Sequence, residues 1–63
     1  MEEFTVVGRM EAKGGMADIG TLRDHECLEV VDNGRAVGYF CRVGGRILPF
    51  GKDEIKVKYA FQE

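Results

Sequence analysis

The chain has 63 residues, of which 44% are hydrophobic, and a net charge of −2. This length leaves room for one domain, residues 1–63, and the hydrophobic content is typical of a globular chain. The slightly acidic balance lacks the basic excess of most nucleic-acid-binding domains, and no stretch approaches the roughly 20 apolar residues of a membrane span.

The N-terminal residues predict a strand. Phe4-Thr5-Val6-Val7 is rich in β-branched and aromatic residues, which favour extended structure. Gly8 follows directly and is expected to weaken any extension of that strand.

The next segment predicts a short helix. Met16, Ile19 and Leu22 recur at a three-residue spacing, which places them on one helical face. Three glycines in this region each disfavour a helix by up to about 1 kcal/mol. We therefore expect only a short helix, from about Met16 to Asp24, with the glycine pair at 14–15 as a flexible lead-in.

The centre of the chain predicts a β-hairpin from Leu28 to Val43. Asn33-Gly34 is the strongest short-range hairpin sequence, because a type I′ turn needs positive φ at both central residues. Asp32 and Arg35 then face each other across the turn as an opposite-charge pair.

This turn also sets an expected register for the hairpin. A two-residue turn pairs Val30 with Val37 and makes Cys27 and Cys41 diagonal neighbours that point to opposite faces. We therefore expect two free, buried thiols and no disulfide, which fits a reducing cytosol.

Both faces of the predicted hairpin are largely apolar. Leu28, Val30 and Tyr39 share the clearer core face, whereas Val31 and Phe40 point to the other. Something must cover this second face, and in so short a chain a second subunit is a good candidate.

Two further strands complete the sheet. Arg46-Ile47-Leu48 predicts a strand that is short or at an edge, because Pro49 has no N–H to donate to a ladder. Residues 55–61 alternate between apolar and polar side chains and predict a terminal strand. The fold class expected is α+β, a mostly antiparallel sheet of four to five short strands with one short helix. The alternative is an all-β small barrel.

The sequence offers no catalytic constellation. His25 is the only histidine, and the chain contains no serine. The cysteine spacing includes no CxxC-type pattern, so we expect no metal site, and the glycines match no phosphate-binding motif. We expect a protein that is not an enzyme and needs no cofactor.

Charge is distributed unevenly along the chain. Residues 1–32 carry eight acids and three bases, whereas residues 33–63 carry three acids and six bases. The alternative function is therefore a small nucleic-acid-binding β-domain that uses the basic second half of the chain. A small sheet that interleaves aromatic and basic side chains could stack the bases of a single strand. Its candidate contact residues are Arg9, Lys13, Arg42, Arg46, Lys56 and Lys58.

The segment from Val30 to Phe40, with its Asn-Gly-Arg-x-Val-Gly pattern, resembles the hairpin of Phd/YefM-type antitoxins. Thr5-Val6-Val7 is similar to the opening strand of that family. The chain departs from the family in its glycine-rich helical stretch, in Arg42 where a proline is usual, and in ending on strands instead of a helical tail. The resemblance implies a homodimer, operator DNA binding and neutralisation of a toxin.

From these patterns we expect a small, cytoplasmic binding or regulatory protein that acts through protein–protein contacts, with an antitoxin-like or phage-type inhibitor as the concrete form. The acidic N-terminus does not resemble a signal peptide. The expected partner is another protein, first of all a second copy in a homodimer. The candidate partner-binding residues are Val31, Ala36, Phe40, Ile55, Val57 and Tyr59.

Overall fold

A computed structural model describes residues 3–13 and 19–61, which form one mixed five-stranded sheet. The strands lie in the order β4-β3-β2-β1-β5. β2 and β4 are antiparallel to β3, whereas β1 is parallel to both β2 and β5. The strands are β1 (Glu3–Glu11), β2 (Glu26–Asp32), β3 (Arg35–Val43), β4 (Arg46–Gly51) and β5 (Lys56–Tyr59).

The prediction of an α+β fold with a mostly antiparallel sheet is wrong, because two of the four strand pairings are parallel and the described residues contain no α-helix. The described part of the predicted helix contains only a three-residue 3₁₀ turn, Ile19–Thr21, and residues 16–18 lie outside the described ranges. Leu22, whose spacing suggested a helical face, is buried against Met10 and Leu28 on the sheet. Leu22 thus covers the sheet from a segment that is not an α-helix in its described part. The sheet is also not a closed barrel, because β4 and β5 form two separate edges.

Membrane-spanning helices are not found within residues 3–13 and 19–61, where no helix has the necessary length and hydropathy.

The predicted hairpin is confirmed. β2 and β3 pair antiparallel around the Asn33-Gly34 turn, where φ is 52° at Asn33 and 78° at Gly34. Positive φ at both positions is the type I′ geometry that this dipeptide favours. Asp32 and Arg35 are directly opposite each other, as predicted.

The register of the hairpin differs from the prediction because β3 contains a bulge. Val31 pairs with Ala36, but Val30 pairs with Gly38, so Val37 has no partner on β2. Val37 is accordingly 50% exposed. A bulge inserts one extra residue on one strand and shifts every following pair by one position. The predicted pairing of Val30 with Val37 is therefore wrong.

The bulge brings the two cysteines together. Cys27 lies directly opposite Cys41, and the two form a fully buried disulfide that joins β2 to β3. The prediction of free thiols is therefore wrong, since it assumed a regular register. The argument for a reducing compartment also loses its basis, because it depended on those thiols.

A second bulge lies in β1, which continues through Gly8 to Glu11 rather than weakening there. Val6 pairs with Cys27 and Gly8 pairs with Leu28, so Val7 is the extra residue. The shift places Val6 on one face of the sheet and Met10 on the other, where each is buried.

The sheet therefore has an apolar cluster on each face. The first is built on Phe4, Val6, Tyr39 and the disulfide, and partly buried residues such as Phe50 pack against it. The second contains Met10, Leu22 and Leu28, with Val30, Phe40 and Ile47 packed against it. The two-sided apolar hairpin is confirmed, but the chain itself covers much of both faces.

The edge strands agree with their sequence patterns. β4 contains Pro49 and lies at one edge, and β5 lies at the other, as a four-residue strand shorter than the predicted 55–61 segment. Lys56 and Lys58 are exposed on β5. Edge lysines and prolines discourage uncontrolled strand pairing.

The disulfide predicts a measurable loss of stability on removal. It closes a loop with a sequence separation of 14, and we expect the C27A/C41A variant to lose about 3 kcal/mol of unfolding free energy in urea titrations. Iodoacetamide added to the unfolded wild-type protein without reductant should leave its mass unchanged. Two adducts per chain would contradict the disulfide.

Gly38 predicts a steric effect specific to β3. A Cβ at Gly38 would lie 2.5 Å from the carbonyl oxygen of Phe50 on the paired strand, whereas one at Gly20 would meet nothing within 4 Å. We expect Gly38→Ala to cost about 1–3 kcal/mol, because β4 must move away. Gly20→Ala is the matched control. Equal midpoints for both variants in thermal unfolding would contradict this packing.

Candidate binding cleft

A cleft of about 770 Å³ lies at one end of the sheet. It is formed where β1 and β2 end, where β3 begins after the hairpin turn, and where the chain leaves β5. Its lining combines aliphatic, aromatic and ionisable side chains: Arg9, Met10, Glu11, Glu29, Val31, Gly34, Ala36, Tyr59 and Phe61.

A buried carboxylate lies in the wall of this cleft. Glu29 is only 4% exposed although it is charged. Arg9 Nε donates to its Oε1 at 2.8 Å, and the hydroxyl of Tyr59 donates to its Oε2. A carboxylate can be buried only when such donors replace its water. β1 and β2 supply the first pair directly, because Arg9 is the register partner of Glu29.

Tyr59 connects this carboxylate to the core. Its hydroxyl oxygen is 3.3 Å from that of Tyr39, the register partner of Glu29 on β3. The hydrogen bond to the Glu29 carboxylate raises the pKa of Tyr59 well above its ordinary value of 10.0, because losing the proton would place two negative charges side by side. The phenol therefore stays neutral across the physiological range.

Two aromatic rings form a corner of the cleft. Tyr59 and Phe61 meet edge to face, with ring centroids 5.7 Å apart and an interplanar angle of 75°. The Arg9 guanidinium lies 5.3 Å from the centroid of Phe61. This corner thus already holds one cation against an aromatic face.

The predicted partner-binding residues separate into two groups. Val31, Ala36 and Tyr59 line the cleft. Phe40 packs against the second-face cluster, and Ile55 and Val57 pack against the first-face cluster. Phe40 therefore contacts this chain's own Met10, Leu22 and Leu28 group and gives no separate reason for a second subunit.

The predicted nucleic-acid-binding residues do not share one surface. Arg46 lies on β4 and the two β5 lysines lie on the opposite edge of the sheet. Arg9 is paired with Glu29 in the cleft, and Arg42 Nη1 donates to the carbonyl of Gly45 at 3.5 Å. Lys13 is exposed just beyond β1.

His25 connects the start of β1 to the end of β3 through its backbone, which has a positive φ of 66°. Its N–H donates to the Arg42 carbonyl, and its own carbonyl accepts from the Thr5 N–H. The imidazole stacks on Phe4 at 4.9 Å, and its Nδ1 is 2.6 Å from Asp24 Oδ2. Its contacts hold β1 and β3 at the end of the sheet that lies away from the cleft.

Asp24 supports the same junction. Its Oδ1 accepts from the Gly44 N–H at 2.8 Å, and this bond, followed by that with His25, lowers the pKa of Asp24 below its ordinary value. Within residues 3–13 and 19–61, no three His, Cys, Asp or Glu side chains converge as a metal site.

The sequence reading missed Glu29, Glu11, Met10 and Phe61 as cleft residues. Glu29 could have been noticed, because an acid in the middle of the apolar run from Cys27 to Val31 requires a partner if the strand is buried. The partners come from β1 and β5, and the local sequence does not identify them.

Comparison with known proteins identified no relative of this chain. No protein-family model, curated protein or solved structure matches this chain.

Tyr59 predicts an unusual alkaline titration. Tyr39→Phe leaves Tyr59 as the only tyrosine in a chain without tryptophan, so its ionisation can be followed at 295 nm. We expect a midpoint clearly above 10.0 in the folded protein, falling towards 10.0 when Glu29→Gln is added. Because the fold favours the neutral phenol, this contribution to stability is complete below pH 10.0 and declines as the pH rises further.

The Tyr39→Phe variant unfolded in guanidinium chloride is the control for this titration. A midpoint in the folded variant that equals the unfolded value would show that the bond to Glu29 does not form.

Proposed function

We propose that this chain is a small, non-enzymatic binding protein that acts through protein–protein contacts and receives a segment of its partner in the cleft. The observation that carries the proposal is the cleft itself, about 770 Å³ in a chain of 63 residues. Recesses of this size, lined by apolar and aromatic side chains around a few polar groups, are typical binding sites.

The state of the charged groups supports binding rather than catalysis. Glu29, Arg9 and Tyr59 satisfy one another, and the pKa of Tyr59 is shifted away from neutrality. A general acid or base works best with a pKa near the operating pH. The network therefore serves to hold the cleft walls in place.

The exposed part of the lining supports a protein partner. Tyr59 is 46% exposed although it is large and partly apolar. Tyrosines that are held rigidly and half exposed are enriched among the residues that dominate protein interfaces. Val31 and Ala36, predicted as contact residues, add apolar lining to the same cleft.

The edges of the sheet are less suited to contact. β5 exposes Lys56 and Lys58, and β4 contains Pro49. A second copy that paired along β5 would bring these lysines close to their equivalents, where like charges repel. The cleft is therefore the favoured contact surface.

The regulatory role, as an antitoxin-like or phage-type inhibitor, stays a prediction drawn from the hairpin resemblance. The nucleic-acid alternative and a cytoplasmic location stay predictions as well. Arg46 and the two β5 lysines lie on opposite edges of the sheet, so these bases form no common surface within the described part of the chain.

Selection from a random-peptide display library on the immobilised protein tests the proposed contact surface. We expect selected peptides to shift the amide resonances of cleft residues in ¹H–¹⁵N spectra. Ala36→Lys should abolish their binding because it places a long, charged side chain in the cleft, and Asp53→Lys, exposed in the turn before β5, is the matched control. Peptides that bind elsewhere, or equally to both variants, would contradict the proposal.

Self-association is a separate prediction. If the partner is a second copy, sedimentation velocity at micromolar concentration should give about 14 kDa, twice the monomer mass of 7.0 kDa, and Ala36→Lys should return the protein to 7.0 kDa. A monomer at every concentration would exclude the homodimer and leave a different protein as the partner.

A further inference from the structure

The ionisable residues of the cleft leave one negative charge without compensation. Arg9, Glu11 and Glu29 line it, and Arg9 pairs with Glu29. Glu11 is exposed and makes no ion pair within the described part of the chain. With one base and two acids, the lining has a net charge of −1.

The aromatic corner is suited to the opposite charge. The rings of Tyr59 and Phe61 are nearly perpendicular, so their faces point in different directions. Arg9 lies over Phe61, whereas Tyr59 remains 46% exposed. A ring face attracts cations through its quadrupole.

The remaining lining is suited to a long side chain. Val31 and Ala36 provide aliphatic surface in the same cleft as Glu11 and Tyr59. Lysine and arginine bury apolar stems while their charged ends seek acceptors. A hydrophobic stem along this wall with a cationic end at Glu11 would match both properties.

We propose that the cleft recognises a cationic side chain, a lysine or an arginine, presented by an extended segment of the partner protein. The cation lies against the exposed ring of Tyr59 and pairs with Glu11, and its stem contacts the aliphatic wall. This inference rests on the proposed function and specifies the chemistry of the partner segment.

Small neutral and charged probes test the cation directly. N-acetyl-arginine amide is titrated into the ¹⁵N-labelled wild-type protein and compared with N-acetyl-citrulline amide, which has nearly the same shape without the charge. We expect the arginine probe to shift cleft resonances and to bind about 3- to 10-fold more tightly than the citrulline probe.

A variant tests the proposed contact with Glu11. Glu11→Gln should reduce the preference for arginine over citrulline to about twofold or less, because a neutral amide cannot pair with the cation. Glu54→Gln, an exposed acid in the turn before β5, is the matched control and should keep the preference. Phe61 is left unchanged, since it already contacts Arg9.

The outcomes distinguish this inference from the proposed function. If peptides from the display selection occupy the cleft but carry no excess of lysine or arginine, and citrulline binds as tightly as arginine, the cationic preference is wrong and the contact surface stands. If display peptides do not occupy the cleft at all, the proposed function fails. An arginine preference that Glu11→Gln leaves unchanged would also overturn the assignment.

Discussion

Val37 bulges out of β3, and this one unpaired residue determines which side chains of the hairpin share a face. Beyond the bulge, Tyr39 lies opposite Glu29, and Cys41 lies opposite Cys27. Side chains alternate along a strand, so a register without the extra residue would send them to opposite faces. The disulfide maintains this alignment covalently, because a slip of one residue would separate the two sulfur atoms.

The middle strand of the sheet is bordered by a bulge on each side. Val7 in β1 has the same effect as Val37 in β3, and both bulged valines are exposed. Because of the shift at Val7, Arg9 rather than Gly8 lies beside Glu29. The cleft thus results from two local irregularities on either side of β2, and bulges are frequent next to functional sites.

Burial of the Glu29 carboxylate destabilises the fold unless other groups bind it, so its partners show which strands the fold must hold together. A charge taken out of water destabilises a fold by several kcal/mol unless hydrogen bonds replace the lost hydration. Here the donors come from β1 and from the end of β5, so the same bonds that satisfy Glu29 also join three strands. Removing either donor would leave one oxygen of the buried Glu29 carboxylate without that bond, and this dependence gives the cleft fixed walls.

The sequence by itself determined the central hairpin, its Asn33-Gly34 turn and the short or edge character of the Pro49 strand, because each depends on neighbouring residues and on backbone preferences. Only the tertiary structure decided the bulge at Val37, the disulfide, the parallel pairing of β1 and the partners of Glu29. These features depend on contacts between residues far apart in the chain. Gly38, for example, permits β4 to approach closely, and no local pattern reports where that strand will lie. The predicted helix failed for the same reason, since Leu22 packs on a sheet face formed by distant strands.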